Sequence, residues 1–156
     1  MIHEIRPATI EDTIYLAEHL QADDLNEILG WGHNPYQVLP ESFSQLEDPI
    51  TFLVKGKLCG MAGVSRTDAN CGAIWMLTTD HVRPYPKLFF KEAKKWVDQQ
   101  TSYAVLHNIA DPRNRMHMKL LHMLGFKKLS YVTVGPQNLT YVEFAKLTSC
   151  VSQPPQ

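Results

Sequence analysis

Residues 114–126 read NRMHMKLLHMLGF, and this stretch is the most informative part of the chain. Side chains that recur every three or four residues fall on one face of a helix, and here they form an arc of Met116, His117, Leu120, Leu121 and Leu124. Asn114 is a residue type that caps helix starts, and Gly125 is typical of helix ends. The stretch therefore predicts a helix whose arc faces the protein interior.

Strand sequences flank this helix on both sides. Before it, residues 102–110 read SYAVLHNIA, an apolar run typical of a buried strand. After it, residues 127–134 (KKLSYVTV) and 139–147 (LTYVEFAKL) predict a hairpin, because the GPQN between them is a turn sequence. This half of the chain is therefore expected to form a strand, a helix and a closing hairpin.

Further strands and helices are predicted upstream. Residues 50–54 (ITFLV), 58–64 (LCGMAGV) and 73–79 (AIWMLTT) are β-rich runs, and a tight KGK turn joins the first two. Residues 86–100 carry a helical apolar stripe made of Phe89, Ala93, Trp96 and Val97. At the amino terminus HEIR predicts a strand, Thr9 and Asp12 predict a capping box, and a second helix over 23–29 stops at Gly30. The breaker-rich WGHNPY at 31–36 predicts a loop, and 40–46 one or two more turns.

The resulting order is β-α-α-β-β-β-α-β-α-β-β, which predicts an α/β fold with a mixed sheet and helices on both faces. Residues 1–148 are expected to form a single domain, because a chain of 156 residues is long enough to bury one core. Residues 149–156 are predicted to be a flexible tail.

Composition argues against several classes of protein. With 44% hydrophobic and 20% charged residues the chain is typical of soluble globular proteins, and no apolar run is long enough to span a membrane. The start, MIHEIRPATIEDT, has no secretory signal pattern, and Cys59, Cys71 and Cys150 are expected to be free thiols in a reducing cytoplasm. The seven histidines are scattered without metal-ligand spacing, so no metal site is expected.

Charge is distributed unevenly along the chain. Residues 1–50 hold one Lys/Arg and ten Asp/Glu, whereas residues 51–156 hold fourteen and six. This asymmetry predicts an acidic side that suits a cationic ligand and a basic side that suits a polyanion. No nucleic-acid partner is expected, because the basic residues are split among elements and the net charge is −1.

The element order, the passage KGKLCGMAGV at 55–64 and the 114–126 stretch resemble the GNAT superfamily of N-acetyltransferases, over about residues 2–147. The helix signature is an Asn eleven residues before a Gly-Phe pair. More narrowly, the chain looks like small GNAT-like proteins of short-tailed bacteriophages, which are internal virion or assembly proteins. The resemblance implies an acetyl-CoA-dependent N-acetyltransferase that acts on an amine of a small molecule or protein, in the bacterial cytoplasm or a virion. The alternative is a degenerate GNAT-fold protein that serves phage assembly or binds a phage or host protein.

In this family acetyl-CoA lies between two splayed parallel strands, with its pyrophosphate at the start of the next helix. The resemblance thus implies a cofactor site made of Leu77, Thr78, Thr79, Val82, Arg83, Lys87 and Asn114. The segment 79–87, TDHVRPYPK, lacks the glycines of the family's loop, and its two prolines remove two backbone donors. Arg83 and Lys87 are expected to bind phosphate in their place.

The resemblance also defines what is missing from the catalytic machinery. Many members have a Tyr acid where this chain has Leu121, and the two central strands carry no Glu. The nearest titratable replacements are Asp80 and His107. His107 is favoured as the base because its ordinary pKa is near neutrality, and its alternative is a hydrogen-bonded sheet histidine. Asp80 would activate the amine or cap the next helix, and Tyr85 would replace the acid or simply pack.

An aromatic cluster follows the second predicted helix, where the family usually lines its acceptor pocket. It consists of Trp31, His33 and Tyr36, and with the acidic first fifty residues it suits a cationic amine. His117 falls in the apolar arc of its helix and is expected to be a core histidine, whereas His122 is expected at the surface.

Overall fold

In the part of the chain that the structure describes, seven strands form one mixed sheet in the order β1-β2-β3-β4-β5-β7-β6. The strands are β1 (His3–Pro7), β2 (Leu46–Val54), β3 (Lys57–Arg66), β4 (Cys71–Thr78), β5 (Val105–Ala110), β6 (Lys127–Val134) and β7 (Leu139–Leu147). All neighbouring pairs are antiparallel except β4 and β5, which are parallel. The mixed α/β sheet expected from the sequence is therefore confirmed.

The computed structural model describes residues 2–149. Cys150 and the predicted tail beyond residue 149 lie outside the described residues, and the domain boundary at 148 stays a prediction. Within the described part of the chain, no helix is both long and apolar enough to cross a membrane.

Within the described residues, five α-helices surround the sheet: α1 (Ile10–His19), α2 (Ala22–Gly30), α3 (Pro35–Phe43), α4 (Pro86–Asp98) and α5 (Arg115–Met123). Helix α3 is one more than the sequence predicted, because the loop expected over 31–36 ends at Asn34. The Asn34 side chain accepts a hydrogen bond from the Tyr36 N–H at 2.9 Å, and Pro35 fits the first helical turn, which needs no N–H there. The breakers of this segment therefore start a helix instead of extending the loop.

Helix α1 begins at the predicted capping box, which is confirmed. The Thr9 hydroxyl accepts from the Asp12 N–H, and the Asp12 carboxylate accepts from the Thr9 N–H. Asp12 also pairs with Arg6 of β1 at 2.7 Å and accepts from the Thr51 hydroxyl of β2. Burial alone would raise the pKa of Asp12, but these partners outweigh it and lower the pKa to about 2. The carboxylate thus ties α1 to the edge of the sheet.

The sheet carries a core on each face, because side chains alternate along a strand. One core joins Met61 of β3 and Leu77 of β4 to helices α1, α2 and α3. Ala62 of β3 and Ile74 of β4 point to the opposite face and pack with α4 and the end of α5. Helices α1 to α3 therefore cover one face, and α4 and α5 the other.

The two parallel strands separate soon after they meet. β4 and β5 pair only over Cys71–Ala73 and Val105–His107, respectively. Just beyond, the Asn108 side chain donates to the Ile74 carbonyl at 2.7 Å. From there on the strands diverge, and we call the opening between them the β4–β5 fork.

The backbone of β4 presents hydrogen-bonding groups to this fork. Thr79 donates its N–H to Cys59 on the β3 side, whereas the Thr78 N–H and the Ile74 carbonyl point to the opposite side. Because backbone groups alternate direction along a strand, the N–H and carbonyl of Met76 also point into the fork. This edge of β4 therefore offers backbone hydrogen-bonding groups to a ligand in the fork.

Helix α2 is held in place by the β6–β7 turn. Gly135 of that turn has a φ of 72°, and a Cβ there would collide with the carbonyl oxygen of Gly30 at the end of α2. The Tyr141 hydroxyl of β7 donates to the Glu27 carbonyl at 2.7 Å. These contacts fix the helix whose acidic side chains face the fork.

Candidate active site

A groove of about 530 Å³ runs between the end of β4, the start of α4 and the first turns of α5. Its apolar lining includes Met76, Phe90 and Leu120, and its basic side chains are Arg83, Lys87 and Lys119. We call it the α4–α5 groove. An elongated ligand with an apolar stretch and phosphate groups matches this distribution of side chains.

Five of the seven predicted cofactor residues line the α4–α5 groove, namely Thr78, Val82, Arg83, Lys87 and Asn114. Leu77 does not, because the alternation along β4 directs it into the core under α1 to α3. Thr79 does not either, since its buried hydroxyl donates to the Leu58 carbonyl of β3 at 2.7 Å. Their roles in binding stay predictions.

The basic residues at the start of α4 are exposed. Arg83 pairs with Asp80 at 3.1 Å, and both side chains are about two-thirds exposed, so solvent screens the pair. Tyr85 precedes the helix and makes no side-chain cap, and Pro86 has no N–H. The unpaired N–H groups of the first turn and the nearby cations together favour an anion at this end of the groove.

A second cavity of about 370 Å³ occupies the β4–β5 fork. It is lined mostly by apolar side chains, among them Ile28, Leu39, Trp75, Leu121 and Phe126, and we call it the fork cavity. Glu27 contributes the one carboxylate of its lining among the described residues.

Two of the three predicted acceptor residues line this cavity. Trp31 and His33 line it, with their rings stacked at 6.2 Å, and Trp31 also meets the Tyr141 ring edge-on at 5.7 Å. Tyr36 lies on the outside of α3 with 59% of its surface exposed and does not line the cavity. Tyr36 lies away from the cavity because it belongs to the first turn of helix α3 and not to the predicted loop.

The three predicted catalytic residues are not brought together. His107 sits opposite Ala73 at the start of β4, where its Nε2 lies 3.0 Å from the Thr67 hydroxyl. Asp80 follows the other end of β4, seven residues farther on, which is about 20 Å along an extended strand. Tyr85 packs beside α4 in the cluster of Phe52, Val54 and Cys59.

Neither cavity is lined by any of these three side chains. The two predicted groups, His107 and Asp80, therefore cannot assist the same reacting atom. In the turn over residues 80–82 the Thr79 hydroxyl accepts from the His81 N–H, and the Asp80 carboxylate pairs with Arg83. Both roles given for Asp80, activation of the amine and capping of the next helix, stay predictions.

The groups that do come together are Asp24 and Glu27 of α2 and His117 of α5, which we call the acid–histidine cluster. Asp24 is 4% exposed and accepts hydrogen bonds from the Thr78 N–H at 2.9 Å, from the Asn114 amide at 2.9 Å and from Gln21. Asn114 thereby joins α2 to α5 while its oxygen caps α5, as predicted.

His117 faces the second acid. Its Nδ1 lies 3.4 Å from Oε1 of Glu27, and the same oxygen accepts from the Asp111 N–H. This Nδ1 is buried and makes no hydrogen bond within the described residues. The prediction that His117 is a core histidine is therefore wrong in one respect: burial is present, but its surroundings are acidic.

Burial and charge act on the cluster in opposite directions. Burial lowers the pKa of His117, but the nearby carboxylates of Glu27 and Asp24 outweigh it, so the pKa is raised above its usual value. Burial raises the pKa of Asp24, and the nearby His117 and the Thr78 N–H oppose that change.

His117 also connects the two cavities. Met76, His117 and Leu120 line both the α4–α5 groove and the fork cavity, so the cavities adjoin at these three residues. Sequence reasoning missed the cluster, although a signal existed: Asp24 and Glu27 stand three residues apart and so share one face of α2. Among the described residues no group of three His, Cys, Asp or Glu side chains is placed to hold a metal ion.

Comparison with known proteins gives no match to a family model and none to a curated protein. Solved structures do match. A GNAT-superfamily phosphinothricin acetyltransferase from Sinorhizobium meliloti, in complex with AcCoA, has a TM-score of 0.76 and 15% identity, over 100% of this chain and 94% of that chain. The acetyltransferase AAC(6')-Ib, in complex with ribostamycin and coenzyme A, has a TM-score of 0.71 and 16% identity, over 100% and 99%.

A spermidine N-acetyltransferase from Vibrio cholerae, in complex with CoA and spermine, has a TM-score of 0.70 and 10% identity over 97% of this chain and 98% of that chain. At such low identities these matches establish the fold alone. The fold is the GNAT acyl-CoA N-acyltransferase fold, as the sequence predicted.

Proposed function

We propose that this protein is an acetyl-CoA-dependent N-acetyltransferase, with acetyl-CoA in the α4–α5 groove and an amine in the fork cavity. The observation that carries the proposal is that the two cavities adjoin at Met76, His117 and Leu120. A direct transfer needs the two substrates in contact, because bringing them together supplies much of the rate. Structural neighbours crystallised with CoA or AcCoA support the same assignment.

The residues present fit acetyl-CoA in the α4–α5 groove. Arg83, Lys87 and Lys119 carry positive charge suited to its phosphates, and Phe90 with Leu120 suits its apolar arm. The N–H and carbonyl of Met76 point into the fork, where amide groups of an extended ligand find partners. These backbone groups and charged side chains would together bind acetyl-CoA without a glycine-rich loop.

This assignment is tested by titrating the protein with acetyl-CoA in a calorimeter and following its melting temperature. We expect one site per chain, and at a ligand concentration of 100 Kd a stabilisation of about 2.7 kcal/mol. Absence of heat and of any thermal shift at millimolar acetyl-CoA would contradict the proposal.

The fork cavity indicates which amines it accepts. Its lining is aromatic and aliphatic, and Glu27 is its carboxylate within the described chain. A largely apolar lining suits an amine with a single basic nitrogen on an apolar body, because each further ammonium group would be buried without a partner, which costs several kcal/mol. The acceptor proposed here is therefore a small monoamine with an aryl or alkyl body, which differs from the spermine and ribostamycin bound by the neighbours.

Acceptor choice is measurable as coenzyme A thiol release in the presence of different amines. We expect 2-phenylethylamine and hexylamine to be turned over with kcat/KM at least tenfold above that for spermine or kanamycin. A preference for spermine or kanamycin would contradict the proposed acceptor class, but it would still support N-acetyltransferase activity. The resemblance to phage proteins, and with it a virion location or host-protein partner, stays a prediction.

A further inference from the structure

We propose that His117 is the base that takes the proton from the acceptor amine, and that Glu27 is its buried partner. This inference rests on the proposed function. His117 stands where the α4–α5 groove and the fork cavity adjoin, and 17% of its side-chain surface is accessible. A group that serves both substrates must lie at this place.

The orientation of the ring assigns each nitrogen a role. Nδ1 is buried 3.4 Å from Oε1 of Glu27, and the Asp111 N–H donates to the same oxygen. The ring also meets Phe144 edge-on at 6.3 Å between centroids. A carboxylate 3.4 Å from Nδ1 favours the tautomer that carries its proton on Nδ1, and in the proposal Nε2 accepts the proton from the substrate.

In the proposed reaction the amine loses one proton and coenzyme A leaves without one. The amine nitrogen attacks the acetyl carbonyl carbon, so an N–C bond forms while the C–S bond breaks and its electron pair leaves with sulfur. One N–H proton passes from the amine to Nε2 of His117, which becomes an imidazolium paired with Glu27. That proton then leaves to water, and coenzyme A departs as a thiolate. No acid is needed at Leu121, since a thiolate is a stable leaving group near neutral pH.

The groups around His117 determine its titration. They are Asp24 and Glu27 of α2, Asp111 and Arg113 before α5, Tyr141 of β7, and Lys87 and Lys119 along the groove. The acids closest to the ring stabilise the imidazolium, which raises the pKa of His117 above its usual value. Because the base must be neutral to work, kcat/KM is expected to rise with pH through that raised pKa. Removing the Glu27 charge lowers the pKa and moves the rise to lower pH.

The test uses the 156-residue chain, acetyl-CoA and 2-phenylethylamine. We expect His117→Gln to lower kcat/KM by 10²- to 10³-fold with acetyl-CoA affinity within threefold of wild type. The control is His122→Gln, on the exposed side of the same helix, which is expected to behave as wild type. Wild-type turnover that persists within threefold in His117→Gln would overturn the role of His117, whereas a wild type without turnover would refute the proposed function itself.

A second measurement does not depend on turnover or on how well His117→Gln folds. The NMR titration of the His117 Cε1–H is expected to give a pKa above the usual value of a histidine, and Glu27→Gln should lower it. The pH at which kcat/KM rises should shift downward in Glu27→Gln by the same amount. An unshifted His117 titration, or a pH profile that ignores Glu27→Gln, would overturn the proposal.

Discussion

Replacing Arg83 and Lys87 together by glutamate is expected to weaken acetyl-CoA binding by about a hundredfold. Both side chains are exposed at the start of α4 and line the α4–α5 groove. A charge-assisted hydrogen bond contributes about 1.5 kcal/mol or more, so loss of two corresponds to about 3 kcal/mol, which is about two decades in Kd. Calorimetric titration of the double variant with acetyl-CoA measures this directly.

A matched variant separates local contact from net charge. Lys91 and Lys95 are exposed on the same helix and do not line the groove. Lys91→Glu with Lys95→Glu changes the net charge by the same amount, yet we expect its affinity for acetyl-CoA to stay within about threefold of wild type, because long-range interactions are screened by salt. Equal losses in both double variants would show that Arg83 and Lys87 are not phosphate contacts.

Asp24→Ala is expected to destabilise the protein by about 3 kcal/mol and to lower the melting temperature by about 10 °C. The substitution removes the acceptor for the Thr78 N–H and the Asn114 amide, both of which are buried. A buried donor without a partner costs about 1–3 kcal/mol, and two are left here. The effect is large because one carboxylate joins α2, β4 and α5.

Thermal and urea unfolding of Asp24→Ala measure the loss. The adjacent Asp23 is exposed on the same helix, so Asp23→Ala serves as the control and is expected to change stability by less than about 0.5 kcal/mol. If the two variants unfold alike, Asp24 does not anchor the helices, and the acid–histidine cluster is not rigidly held.

The sequence was sufficient where structure is local. The hairpin over residues 127–147 was predicted with its final strand boundaries, because alternation and the GPQN turn are both short-range signals. Helix α5 was predicted from its spacing and its Asn114 cap. Helix α3 was missed because Pro35 and Pro40 are typical of loops. Pro35 stands in the first turn of the helix, where proline is tolerated, whereas Pro40 lies inside the helix.

The site was less accessible to sequence reasoning, because its chemistry depends on distant pairs. Asp24 and Asn114 are 90 residues apart and meet only after the sheet has formed. The apolar pattern of its own helix predicts that His117 is a core residue. Glu27 lies beside it only because α2 and α5 pack together in the tertiary structure. His107 was favoured for its chemistry alone, but its place opposite Ala73 depends on strand register.

In the proposed function an acetyl group passes from acetyl-CoA to an amine at the junction of the two cavities. Its most direct test is to incubate the protein with trideuteroacetyl-CoA and 2-phenylethylamine and to analyse the products by mass spectrometry. We expect one N-trideuteroacetyl-phenylethylamine for each coenzyme A released, and a rate that falls at least a hundredfold in His117→Gln. Label found only as free acetate, or no labelled amide with this or any other amine while acetyl-CoA binds, would contradict it.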